Sequence, residues 1–404
     1  MLTGDQDKVR RINKSVVMNA IRLHAPISRA RVANFTGLNR GTVSNIVNAL
    51  IEDGLVSEDS QEESKIGRPG INLGLRRDGG AVIGLEVGVD FINIVLTNFV
   101  AETLWETVVE THPTTQSQTS IIGQIEQLIE QALSITNERH LRPLGVGIGL
   151  PGLINLRRGE LVIAPNLNWK NVPLRLMLNQ RFRLPIYIEN EANLSALGEY
   201  YFGVARSCDN FIYVCSGIGL GGGIMINGNL FRGSHGYAGE IGHIQRDPQG
   251  EKCACGRIGC WETQVGPRAV LRRVKKDLQM HPNQFLLDAC HGDFNNLTFN
   301  MVVKFSLEGN EICKQAIEDV AMYLGEGIAD LVNIFNPELV VIGGAFILCK
   351  DILQPIVEKT VFSSAMRPSA DSLRIAFSER GTDACAFGAI AVVLDDILRE
   401  MTLN

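Results

Sequence analysis

The hydrophobic positions at the front of the chain recur at helical spacing. In "INKSVVMNAIRLH", Val16, Val17, Ala20, Ile21 and Leu23 form one apolar stripe, the signature of an amphipathic helix, and Pro26 ends it. Ser28 stands in a cap position ahead of "RARVANFTG", a short second helix whose Val32, Ala33 and Phe35 are expected to face inward and whose Gly37 stops it. A third helix follows in "RGTVSNIVNALIEDG", with Asn39 as its cap and Val43, Ile46, Val47, Leu50 and Ile51 on one side. Next, "LVSED" and "GINLGLR" pair as a two-stranded wing around the polar loop "SQEESKIGRP".

Past Arg77 the pattern changes to strands and glycines. "AVIGLEVGVDFINIVLTNF" reads as strand, turn near Gly88 and strand, "ETLWETVVETH" adds a third strand, and a helix runs from about Thr119 to Asn137. "LGVGIGLPG" is a buried strand ending in a Pro-Gly turn. The second half opens the same way, since "FIYVCSGIGLGGGIMINGNLF" is again strand, glycine turn, strand, and "ELVVIGGAF" lies between helices ending near Phe335 and starting near Asp351. Two similar openings predict a duplicated α/β fold with a cleft between two lobes. The expected division is a head at 1–77 with its wing and linker, a first lobe at 78–190 and a second at 191–381. A C-terminal helix over 382–402 completes the first lobe in this division, although the same helix also suits a contact between subunits.

Charge sharpens the reading of the head. No Asp or Glu occurs between Lys8 and Ile51, where Lys8, Arg10, Arg11, Lys14, Arg22, Arg29, Arg31 and Arg40 supply eight positive charges, against a net charge of -6 for all 404 residues. Such a segment can neutralise phosphates that the acidic remainder would repel. The third helix carries Arg40, Thr42, Ser44, Asn45 and Asn48 opposite its apolar side, with Asn39 at its start. Small hydrogen-bonding residues there suit a recognition helix in the major groove, and Arg68 in the wing loop suits a minor groove or phosphate contact. A solvated basic face and a helical bundle for protein contacts are the alternatives. No apolar run reaches a membrane span and the start lacks a signal-peptide core, so the expected compartment is the cytoplasm. Nine cysteines of which only three cluster do not form a disulfide framework there.

The three are Cys253, Cys255 and Cys260 in "CACGRIGC", and His243 precedes them in "GEIGHIQ". One imidazole and three thiolates fit a tetrahedral Zn(2+) site, and four protein ligands leave no open position, so the metal is structural. Zinc would then hold Glu240, three residues before His243, and Glu262, two after Cys260, close together. Carboxylates in a cleft suit sugar hydroxyls, which both donate and accept.

Together "GEIGHIQ", "CACGRIGCWE", "IENEAN" and "SGIGLGGGI" resemble the ROK family of sugar kinases and sugar-responsive repressors from about Gly80 to the end, and the head resembles the repressor branch. The resemblance implies an actin-like (ribonuclease H-like) two-lobed fold and sugar contacts from Gly152, Asn166, Asn190, Glu191, Glu240, His243 and Glu262, with His243 serving metal and sugar through different nitrogens. Family kinases have Asp as catalytic base where this chain has Glu191. They also carry Asp-x-Gly-Gly-Thr in the first hairpin, where this chain has Glu86, Val87, Gly88, Val89 and Asp90. A lost phosphate cradle favours a binding pocket with no catalytic residues over a kinase. Glu191 and "CWE" look most like the xylose repressors of the family. The expected function is thus a homodimeric or tetrameric repressor with operator DNA and a monosaccharide, xylose, as its partners. A sugar kinase with a DNA-binding head, and a repressor controlled by a protein partner, are the other two readings.

Overall fold

The computed structural model describes residues 3–61, 71–112, 115–206, 208–281 and 283–400. Arg68 lies outside the described residues.

The head comprises α1 (Thr3–His24), β1 (Ile27–Ser28), α2 (Arg29–Thr36), α3 (Arg40–Glu52), β2 (Val56–Gln61) and β3 (Ile71–Leu75). Gly37 ends α2 in the left-handed region at φ 70°, its N–H reaching Ala33 O. Three expectations change here. The wing sheet has three strands in the order β1-β3-β2, because Ile27 and Ser28 pair with Leu73 and Asn72. That pairing buries the Ser28 hydroxyl, which makes no capping bond. Phe35 is 57% exposed and stacks on His24 with ring centroids 4.4 Å apart, since Val32 and Ala33 already fill the inward side of so short a helix.

The first lobe runs β4 (Ala81–Val87), β5 (Phe91–Asn98), β6 (Thr103–Glu110), α4 (Gln118–Glu138), β7 (Pro143–Leu150), a small sheet of β8 (Leu153–Asn155), β9 (Glu160–Ala164) and β10 (Trp169–Val172), then α5 (Leu174–Phe182) and β11 (Ile186–Asn190). Its main sheet has the order β11-β7-β4-β5-β6, with β7 parallel to both β4 and β11. Next comes α6 (Glu191–Phe202). The second lobe has β12 (Phe211–Ser216), β13 (Leu220–Ile226), β14 (Asn229–Leu230), α7 (Trp261–Gln264), α8 (Pro267–Met280), α9 (Gln284–Ala289), α10 (Phe299–Leu307), α11 (Glu311–Phe335), β15 (Leu339–Gly344), α12 (Lys350–Ser364), α13 (Arg367–Ala370) and β16 (Arg374–Phe377). Its sheet order, read as β16-β15-β12-β13-β14, repeats that of the first lobe.

The last helix, α14 (Ala384–Glu400), packs on β4 and β7 and along α6. Glycines set that approach: a Cβ on Gly198 would fall 2.1 Å from Ala384 O, and one on Gly388 would fall 1.7 Å from Leu194 O. The other side of α14 meets the head, and Phe387, Ile390 and Leu394 share one core with Val17 and Ile21 of α1. DNA head and lobed domain are therefore welded through the C-terminal helix. Among the described residues, no helix is long and apolar enough to cross a membrane.

Candidate functional site

The cleft between the lobes collects residues from the ends of many elements. Gly152, Asn166, Asn190, Glu191, Glu240, His243 and Glu262 line one pocket, together with the Gly219–Gly222 stretch at the start of β13. Gly152 holds the turn after β7 at φ +97°, where a Cβ would fall 2.2 Å from Ile163 O, so only glycine lets the turn fold under the small sheet. Its carbonyl accepts from Asn190 Nδ2 at 3.1 Å.

Asn190 has a local duty that the sequence reading did not assign. Its Oδ1 caps α6 by accepting from the N–H groups of Ala192 and Asn193 at 2.9 and 3.2 Å, the usual device for satisfying the first turn. Behind it lies Glu189, 3% exposed, which accepts from Asn190 N, Asn193 Nδ2 and Arg232 Nε at 3.0, 3.1 and 2.7 Å. Arg232 follows β14 in the second lobe, so this bond ties the two lobes directly behind the pocket. Glu189 was visible in "IENEAN" as an acid at the end of an apolar strand; its partner, 43 residues on, was not.

Three of the carboxyls along the cleft are held above their ordinary pKa. Burial, then the neighbouring charge of Glu240, pushes Glu191 up to about 7. Burial raises Glu240, reinforced by Glu262 and opposed by His243. Glu86, deeper in the cleft, is raised well above the usual range by burial and then by Glu191 and Asp383. A carboxyl poised near neutrality, as Glu191 is, can donate as well as accept, which sugar hydroxyls require. The deeper chamber of about 610 Å³ is lined by Glu86, Asp90 and Gly217 among others. Asp90, where the kinase pattern carries no acid, sets a carboxylate against a triphosphate there.

The cysteine loop closes one side of the pocket. The ligand atoms of His243, Cys253, Cys255 and Cys260 all lie within 4.8 Å of one another. Cys255 Sγ is 3.7 Å from Cys260 Sγ, and Cys253 Sγ is 3.5 Å from His243 Nδ1. The edges of a tetrahedron with Zn–S near 2.3 Å are about 3.8 Å long, so these spacings fit a metal and the cluster can hold one. His243 presents Nδ1 to the thiols and Nε2, 3.7 Å from Glu240, to the pocket. Glu262 takes a 2.7 Å hydrogen bond from the Cys253 thiol, so it leans on the cysteine loop as well as on the pocket.

On the head, α3 shows Arg40, Asn45 and Asn48 exposed and Thr42 and Ser44 half-buried. Asn39 caps the helix, its Oδ1 accepting from Thr42 N at 2.8 Å. Asn48 accepts from Arg29 Nη1 at 2.8 Å, and the same Arg29 pairs with Glu58 of the wing at 2.9 Å. Arg29 thereby fixes α3 against β2, a positioning role that its charge alone did not reveal.

Comparison with known proteins agrees with both halves. Residues 82–396 match the ROK family and residues 11–57 match the winged helix-turn-helix DNA-binding family. The xylose repressor of Caldicellulosiruptor bescii is 36% identical over 395 residues, covering 98% of each chain. The DNA-binding transcriptional dual regulator NagC of Escherichia coli is 31% identical over 405 residues, covering 99% of this chain and 97% of its own. Among solved structures, a ROK family transcriptional regulator described as a homologue of the E. coli MLC protein superposes with a TM-score of 0.84 at 28% identity, covering 98% of each chain.

Proposed function

This chain belongs to the ROK family and carries a winged helix-turn-helix DNA-binding head, and from that premise we propose a cytoplasmic, sugar-responsive transcriptional repressor whose effector is D-xylose. It acts by binding and not by catalysis. The observation that carries the sugar reading is the convergence of Glu191, Glu240, His243 and Asn166 on one pocket, in a chain whose full-length relatives include a xylose repressor. Asp90 in the deeper chamber weighs against nucleotide phosphates and thus against the kinase reading.

Exposed Arg40 and Asn45 of α3 read the operator, and a homodimer matches a palindromic site. Glu191, Glu240, Glu262 and the Nε2 edge of His243 hold the sugar hydroxyls, with Gly152, Asn166 and Asn190 shaping the floor. His243, Cys253, Cys255 and Cys260 would hold a structural zinc ion, which supplies positive charge and a rigid tether; the protein's own part is to hang Glu240 and Glu262 from that tether.

Helix α6 offers the route from sugar to DNA. Its first turn, capped by Asn190, forms the pocket wall. Near its other end the Tyr201 ring lies 3.8 Å under the guanidinium of Arg22 from α1, and Tyr201 Oη and Arg22 Nη2 both bond to Asp395 of α14, at 2.9 and 2.7 Å. Sugar that draws the second lobe over Glu191 shifts this helix and with it the head, provided sugar and operator prefer different positions. Calorimetric titration with D-xylose and D-glucose tests the effector. Saturable binding of xylose alone is expected; glucose binding in place of xylose would contradict the assignment.

A further inference from the structure

The head and the lobed domain line a half-open cavity of about 520 Å³, separate from the sugar cleft. Four arginines stand in its wall: Arg22 and Arg77 on the head side, Arg206 and Arg380 on the side of the lobed domain. Arg22 pairs with Asp395 at 2.7 Å and Arg77 with Glu102 at 2.8 Å. Among the described residues, no carboxylate lies within ion-pair distance of Arg206 or Arg380, so four guanidinium groups meet two acids and the cavity is cationic.

Two of these guanidinium groups are held in place with donors left over. Arg380 donates Nε and Nη2 to Phe202 O at 3.0 and 2.9 Å and lies 4.3 Å over the Phe387 ring. The Arg22 side chain is 7% exposed, and its Nε and Nη1 are buried without any partner. Buried N–H groups without acceptors are costly and uncommon, and a bound ion is one of the things that satisfies them. A guanidinium fixed by stacking and lacking a carboxylate is built to receive a phosphate oxyanion.

We propose that this cavity is a second ligand site, for a small phosphate-bearing metabolite. Its oxyanion sits between Arg206 and Arg380 and takes up donors of Arg22, while the half-buried Leu75 and Val100 of the same wall cover its carbon body. Because Arg22 belongs to the head and the other two arginines to the lobed domain, the ligand bridges them and holds the head in one position. The effect on operator affinity rests on the repressor reading above; the binding itself does not.

The test is calorimetric titration of the full chain, free of DNA and sugar, with inorganic phosphate and with glycerol 3-phosphate. Saturable binding is expected, tighter for glycerol 3-phosphate because of the apolar wall, and Arg380→Gln or Arg206→Gln should each weaken it by about tenfold or more. Arg206 is exposed, so its variant keeps the test valid if loss of the Phe202 bonds unfolds Arg380→Gln. Absence of saturable binding by both probes, or unchanged affinity in the Arg206→Gln protein, overturns the proposal. Phosphate binding without xylose binding would uphold this site while removing the sugar reading, so the two failures are distinct.

Discussion

Glu191 shows how opposing local effects resolve at a single residue. At the first position of α6 the helix dipole favours its ionised form, yet burial and the charge of Glu240 win and hold its pKa near 7. A carboxyl raised in the folded state binds more protons there than in the unfolded chain, so its contribution to stability is complete below about 4.5 and is lost as pH rises through 7. Glu86 and Glu240 are shifted in the same direction. The thermal midpoint should therefore fall between pH 5 and 8, and Glu191→Gln should flatten that fall; an identical slope in the variant would refute the assignment. At the metal cluster, Cys255→Ser should abolish metal content and weaken xylose binding by tenfold or more, about 1.4 kcal/mol, because the loop carrying Glu240 and Glu262 loses its tether. Full sugar affinity in a metal-free variant would show that the tether is unnecessary.

At the scale of elements, the proposed mechanism has its two ends on α3 and α6. Arg40 is exposed at the start of α3, and on the proposed operator-reading role Arg40→Ala should cost about 1–3 kcal/mol of operator binding with sugar affinity intact, measured by gel shift and calorimetry side by side. Losing both together would make Arg40 a structural residue. Tyr201→Phe removes the 2.9 Å bond to Asp395 and leaves the ring under Arg22. Sugar and operator should each still bind, while the change in operator affinity caused by sugar shrinks severalfold; an unaltered ratio would exclude this junction from the coupling. The helices and strands that were read from the sequence were legible because periodicity is a local property: the expected Thr119–Asn137 helix is Gln118–Glu138, whereas the small sheet β8–β10 and helices α8–α10 were not read at all. What periodicity does not hold is the partner of each face. Phe35 reads as core by its apolar character and yet lies outside on His24, Ser28 reads as a cap and yet is drawn into a sheet, and α14 could be placed only once Gly198 and Gly388 were seen to let it touch α6.

On the scale of the whole molecule, a basic head is fused to an acidic body through a shared core, so the head cannot swing independently of α14. The pocket was readable in the sequence because its motifs are long and ordered, and metal-ligand spacing is itself chemical information. The Glu189–Arg232 tie and the four-arginine cavity were not, since each joins residues far apart in sequence. If, as proposed, the weld makes the head's position follow the cleft, operator affinity is its direct readout. The decisive measurement is the dissociation constant for operator DNA, at one fixed salt concentration, without D-xylose and with D-xylose at saturation. A rise of tenfold or more with xylose is the expected result, corresponding to a coupling of about 1.4 kcal/mol or greater. Equal affinities with the sugar demonstrably bound would contradict the coupling, leaving two working sites in one chain with no communication between them.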